Sequence, residues 1–391
     1  MSAINRSYLS YASYLSLLIF GLFNTTLGAA LPNIRESLGL SISETGTLLA
    51  SRSVGYIVAV LASGFLADTL GKKAIAVLSS ALFSSSLLAF GVVPGLWINS
   101  FFSIILGLGT GGIEVICNAL IIDLYGDRKS NAMNTLHLFF PLGAIIGPLY
   151  TAFLFSRSIN WRFAFITYGF LSLALLGAFS IFRFPGRAVE AKGAKDSPLF
   201  LLKERLVLIL GLLLGLYVSV QIGVGTWMTT YLRDLVSLPP VASANILALY
   251  WTGMTLGRFV GSRISHKVKH TDLILVMCVG SAAFLILSLV ATSPAMVVAF
   301  FFITGFSLSA IYPMVVVVGG SSYPLNSAAV VGIISAGSSL SSSLLQWTMA
   351  QISQATTIKA GMFFYAILAV GMIVLTLIAS REANRVGYKD V

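Results

Sequence analysis

The chain has 391 residues, 57% of them hydrophobic and only 9% charged, and its mean hydropathy is +0.94. That balance excludes an ordinary soluble domain and reads as an all-α polytopic membrane protein in contact with the lipid bilayer. The net charge of +11 is concentrated in the loops between apolar runs, so it needs no nucleic-acid partner to explain it.

A spanning helix needs about 20 mostly apolar residues. Windows of that length predict twelve transmembrane helices, near 8–32, 44–67, 74–93, 95–123, 131–156, 161–183, 205–232, 241–262, 272–291, 294–318, 326–352 and 359–380. Only helices and closed barrels satisfy the backbone in lipid, and the period-two alternation of a barrel is absent. The first apolar run is longer than the core of a cleavable signal and lacks a clear cleavage site, so it reads as the first span. With the N-terminus inside, seventeen Lys and Arg fall on the cytoplasmic side and five on the other. Both termini are therefore expected in the cytoplasm, with the protein in the cell (plasma) membrane.

The long polar connection from Arg183 to Glu204 divides the helices six and six. We expect an N-terminal six-helix bundle over 1–184, a cytoplasmic linker over 185–204 and a C-terminal bundle over 205–391, pseudo-symmetric as in duplicated transporters. The best internal match sets Gly64-Phe65-Leu66-Ala67-Asp68 against Gly261-Ser262-Arg263-Ile264-Ser265, each preceded by a glycine, Gly55 or Gly253.

In chain order, the first predicted helix carries Asn24, followed by Pro32, and no acid between them. Arg52 lies roughly two turns inside the second, too deep for easy snorkelling. It can meet an anionic substrate group, or it can pair with Glu114 or a helix carbonyl. The fourth helix holds Glu114 in Gly111-Gly112-Ile113-Glu114-Val115-Ile116-Cys117-Asn118. A charge at bilayer depth costs at least ~2.5 kcal/mol on insertion scales, which makes Glu114 a functional-site residue by default. A cavity that alternates between water access and occlusion changes the solvation that decides whether such a carboxyl holds its proton. The bland alternative is a permanent ion pair with Arg52. The other acids, among them Asp123, lie at predicted helix ends or in loops.

His137, on the fifth helix, can relay a proton or act as a hydrogen-bonded packing residue. Gly143 and Gly147 have the four-residue spacing that permits close helix packing, and Pro148 adds a bend. Tyr217, Gln221 and Trp227 follow on helix seven, Tyr250, Trp251 and Arg258 on helix eight, and Tyr312 on helix ten. With Asn24 and Asn118 these polar and aromatic residues supply a surface suited to a sugar or polyol, whose ring stacks while its hydroxyls hydrogen-bond. The same set accepts a drug-like aromatic, and each aromatic taken singly also reads as packing or interface belt. Arg258 lies near the cytoplasmic end, where it can snorkel, and reads as structural or gating. Helix eleven is rich in small residues, Ser335 to Ser343 around Gly337, which lets helices approach and slide.

Catalytic patterns are lacking, and the chain does not read as an enzyme. Three histidines and two cysteines form no metal-ligand spacing, and the Gly107–Gly112 run lies within a helix with no strand before it, so it is not a phosphate loop. No cofactor is expected.

Gly64-Phe65-Leu66-Ala67-Asp68-Thr69-Leu70-Gly71-Lys72-Lys73 resembles the signature between helices two and three of the major facilitator superfamily, with Thr69 where that family usually has Arg. The resemblance implies that Gly64, Asp68, Gly71 and Lys72 help hold the cytoplasmic side closed. Gly64 would permit close helix contact, and Asp68 would accept hydrogen bonds at a neighbouring helix N-terminus. It also implies a gating role for the helix carrying Gly143, Gly147 and Pro148. Glu114 with Asn118, Asn134-Thr135-Leu136-His137-Leu138-Phe139-Phe140, the Tyr217–Gly223 stretch, and Trp251-Thr252-Gly253-Met254-Thr255-Leu256-Gly257-Arg258-Phe259 resemble the fucose and glucose/galactose proton symporter group. Two departures stand out: Gln221 where that group often has an acid, and no acid before Pro32. The expectation is a proton-coupled secondary transporter, acting as a monomer, that takes up a sugar-like or other small polar organic solute, with Glu114 as the proton site. An exporter of amphipathic compounds, an organic-anion carrier using Arg52, and a non-transporting nutrient sensor are the alternatives.

Overall fold

The computed structural model describes residues 3–125, 129–185, 198–323 and 326–388. Among these, regular structure is entirely helical: α1 (Ala3–Leu38), α2 (Ile42–Leu70), α3 (Lys72–Ala89), α4 (Leu96–Tyr125), α5 (Lys129–Ser156), α6 (Arg162–Ile181), a 3-10 turn (Pro198–Lys203), α7 (Arg205–Asp234), α8 (Pro240–Ile264), α9 (His270–Val290), α10 (Pro294–Leu308), α11 (Ile311–Ser322), α12 (Ser327–Ala355) and α13 (Ile358–Arg385). The tenth expected helix is broken at Ser309–Ala310 into α10 and α11. Pro313 is the cause: it offers no N–H to the carbonyl of Ser309, and its ring would clash with it. The two pieces form one span, Pro294–Ser322, so twelve helical units are present among the described residues.

Eleven of the twelve are apolar enough to cross a membrane on length and composition alone. The exception is α8, which is long enough at 25 residues but carries Ser243, Asn245, Thr252, Thr255, Arg258, Ser262 and Arg263.

The chain divides into two compact units, Met1–Ala191 with Pro239–Ala248, and Lys192–Leu238 with Leu249–Val391. In the first, α2 lies along α4, α1 along α5, and α3 against both α4 and α6. The glycines of α4 explain this arrangement. A Cβ on Gly107 or Gly111 would collide with the α2 backbone at Arg52 and Tyr56, and one on Gly109 or Gly112 with α3 at Phe83 and Ser79. Gly55 completes the α2 seam against the carbonyl of Ile104. Lipid offers no hydrophobic drive between helices, so dispersion contacts at such close approach hold them together. Gly21, Gly143 and Gly147 form the corresponding seam between α1 and α5. Helix α5 runs continuously through Pro141 and Pro148.

In the second unit α7 packs on α12 and α13, and α9 on α10 and α13. The seam between α8 and α10 repeats the α2/α4 seam. Gly253 meets the carbonyl of Phe302, and Gly305 meets that of Tyr250. Gly55 and Gly253, Gly107 and Gly305, Ile104 and Phe302, and Arg52 and Tyr250 are each 198 residues apart. The internal duplication, faint in sequence, is carried by a backbone contact in which only glycine fits.

Two details bear on the motif after α2. Gly71 alone joins α2 to α3, and its φ of +89° lies in a region that L side chains rarely adopt. Gly64 does not make the close helix contact expected of it: it is exposed, and a Cβ there would meet nothing.

The contrast is measurable. Gly107→Ala should lower the thermal stability of the purified protein by the equivalent of about 1–3 kcal/mol, the usual cost of overpacking. Gly64→Ala should change it by less than about 0.5 kcal/mol.

Candidate functional site

In the first unit, the glycine seam places one face of α2 against α4, and the functional side chains lie along it. Tyr56 donates a hydrogen bond to Glu114 Oε2 at 3.0 Å. One turn earlier, Arg52 Nη1 donates to Asn24 Oδ1 at 2.8 Å, and its guanidinium lies 5.6 Å from the centre of the Phe23 ring. Asn24 is itself oriented by donating from Nδ2 to the carbonyl of Phe20 at 2.9 Å. The ion pair between Arg52 and Glu114 that the sequence allows does not form: each group turns to a neutral partner. Arg52 Nε is buried with no hydrogen-bond partner.

Beside Glu114 is a small cavity lined by Ser16, Phe20, Phe83 and Thr110, among others, with room for roughly one water molecule. Asn118, one turn beyond Glu114, presents a buried Oδ1 that has no partner. His137 is exposed on α5 and does not line this cavity.

In the second unit the expected aromatic and amide residues converge on α7 and α8. Gln221 is buried and donates from Nε2 to the sulfur of Met254 at 3.1 Å, while its own backbone carbonyl accepts from the Tyr250 hydroxyl at 2.9 Å. The Trp251 ring lies 5.6 Å from that of Tyr250 in an edge-on arrangement and packs over Gly225, where a Cβ would crowd it. Tyr217 is fully buried, 6.3 Å ring to ring from Tyr312. Tyr312 is more exposed and bonds Ser335 at 3.4 Å. The Nε of Arg258 is buried, and its guanidinium neighbours Tyr217. Trp227 is fully buried, with an indole N–H that finds no acceptor.

At the residues expected to gate, Lys72 Nζ meets Asp123 Oδ2 at 2.6 Å, tying the start of α3 to the end of α4. The side chain of Asp68 lies outside the described residues. Gly143 and Gly147 pack on the backbone of α1 at Leu18 and Leu22, and α5 runs on through Pro148.

Sequence reasoning missed three partners: Tyr56, Met254 and Asp123. Tyr56 had a usable signal, lying one turn from Arg52 on the same helix. Met254 had none, being an ordinary apolar residue. Asp123 and Lys72 fall at the ends of neighbouring predicted helices, which is compatible with pairing but does not require it. Among the described residues no group of three or more His, Cys, Asp or Glu could hold a metal ion.

The bond from the Tyr250 hydroxyl to the Gln221 carbonyl links α8 to α7. Tyr250→Phe should cost about 1 kcal/mol in a denaturation series.

The sequence profile of the Major Facilitator Superfamily matches residues 13–345. Among curated proteins the chain is 25% identical to Protein TsgA of Salmonella typhi over 349 residues, 85% of each chain. It is also 25% identical to a Protein TsgA homolog of Buchnera aphidicola over 268 residues, 68% of each. Among solved structures it is similar to a bacterial homolog of the human lysosomal transporter Spinster, inward-facing and unoccupied, with TM-score 0.84, 16% identity and full coverage of both chains. A D-xylose-proton symporter gives TM-score 0.79 at 15% identity, again over both whole chains. At these identities the structural likeness speaks to the fold alone. The twelve helical units, the duplicated glycine seam and the profile match agree, and the chain belongs to the Major Facilitator Superfamily of multi-pass membrane transporters.

Proposed function

We propose that this transporter works by alternating access, coupling the entry of a proton to uptake of a sugar-like or other small polar organic solute across the cell membrane. One observation carries the coupling: Glu114 lies within a span and is held by the Tyr56 hydroxyl, with no cation in ion-pair range among the described residues. A carboxyl group without a fixed counter-charge, beside a cavity with room for roughly one water, is free to exchange its proton as its solvation changes. Coupling is therefore assigned to Glu114 rather than to the exposed His137.

The solute-binding role belongs to the amides Asn24, Asn118 and Gln221 and to the aromatics Tyr217, Trp227, Tyr250, Trp251 and Tyr312. The unpartnered Asn118 Oδ1 and Trp227 Nε1 support this reading, because buried polar atoms of this kind find partners in native proteins. Of the similar solved structures, one is a D-xylose-proton symporter and another a nucleoside transporter, both carriers of small polar solutes. Lys72, with Asp123, and Gly71 are assigned to gating at the cytoplasmic end of the first unit. Arg258 is assigned to gating in the second. Both termini are placed in the cytoplasm, and the working unit is a monomer.

The test is transport in proteoliposomes, using a labelled solute found by screening sugars, sugar acids and lipophilic cations. Glu114→Gln should abolish accumulation driven by a pH gradient while leaving counterflow intact. Unchanged pH-driven uptake in that variant would show that coupling lies elsewhere.

A further inference from the structure

We infer that Arg52 is the anion-recognition group of this transporter, and that the solute it carries bears a carboxylate. The inference deepens the transport reading above and rests on it. Arg52 lies ten residues into α2, roughly 15 Å along the helix from Ile42. It lies within the membrane span Ile42–Ala67. Among the described residues no acid forms an ion pair with it: the acid of the neighbouring helix, Glu114, is held by Tyr56. Its one hydrogen-bonded side-chain partner is the neutral Asn24, at 2.8 Å. That amide is oriented in turn by the Phe20 carbonyl, and the Phe23 ring flanks the guanidinium. Nε is buried and has no acceptor. A planar cation held in one orientation by neutral groups, with a donor left over, matches the two-oxygen geometry of a carboxylate.

The duplicated seam argues against a purely structural role. Tyr250 occupies the same place in the α8/α10 seam, 198 residues on, packing its backbone against Gly305 as Arg52 packs against Gly107. Its hydroxyl reaches α7, as the Arg52 guanidinium reaches α1. The seam therefore forms with an uncharged residue at this position. The architecture does not require the cation, and its presence inside a span points to a ligand charge that it meets.

The experiment is equilibrium binding to the full-length protein in nanodiscs of phosphatidylcholine alone. The probes are neutral and carboxylated solutes matched in size, glucose against gluconate and glucuronate, and glycerol against lactate and glycerate, with chloride and phosphate as inorganic controls. The expected result is that at least one carboxylate binds more tightly than its neutral counterpart. Arg52→Gln should remove that preference, weakening the carboxylate by about 30-fold or more. Arg52→Tyr, which installs the residue the second seam already accommodates, should do the same and guards against a folding defect. Three results overturn the inference: no carboxylate preference in the unaltered protein, a preference that survives both substitutions, or Arg52-dependent binding of inorganic anions only. A fourth is Arg52-dependent stabilisation that needs phosphatidylglycerol in the disc, which would assign the cation to a lipid headgroup. Binding requires neither flux nor a proton gradient. Loss of the inference with retained counterflow of a neutral solute therefore leaves the transport reading standing.

Discussion

The placement of Arg52, Tyr56 and Glu114 depends on the close approach of backbones along the α2/α4 seam, a contact that the α8/α10 seam repeats. At Gly55 and Gly107, and at Gly253 and Gly305, the space a Cβ would need is taken by a carbonyl of the facing helix. In lipid the apolar side chains gain nothing by leaving one hydrocarbon surface for another, so intimate contact must supply the attraction. The seam also fixes which residues of α2 can reach α1 and α4. With the axes this close, a side chain at the contact, such as Tyr56, meets a group on the facing helix.

The polar chemistry follows from that placement. Arg52 and Glu114 are the charges that composition makes conspicuous, and simple electrostatics would pair them. The structure instead gives each a neutral hydrogen-bonding partner, Asn24 for the cation and Tyr56 for the acid. A permanent ion pair would neutralise both and leave neither free to respond to a ligand or proton. Neutral partners orient without cancelling charge. In the second unit both polar contacts run between α8 and α7, with Tyr250 bonded to the Gln221 carbonyl and the Gln221 amide to Met254. The two repeats share a scaffold and differ in electrostatics.

Much of this is legible in the chain. Apolar run lengths are set by the thickness of the bilayer, so hydropathy places the twelve helical units. The cost of burying charge singles out Glu114 and Arg52, and the motif ending at Gly71-Lys72 points to the family. The break in the tenth helix is written in Pro313, yet hydropathy does not reveal it, because proline inside a membrane helix often bends it without ending it. Gly64 reads in sequence as a packing glycine, whereas it is Gly55, nine residues earlier, that makes the contact.

What the sequence alone determined was therefore the class of molecule, the number of helical units and the residues too costly to be incidental, since each follows from one-dimensional quantities such as run length, composition and the cost of a charge in hydrocarbon. Tertiary structure decided the partners. Whether Arg52 meets Glu114 or Asn24, whether Gly64 or Gly55 makes the seam, and whether Lys72 finds Asp123 depend on the rotation and separation of packed helices. Those are set by where backbones can approach, and no local pattern around any one of these residues encodes it.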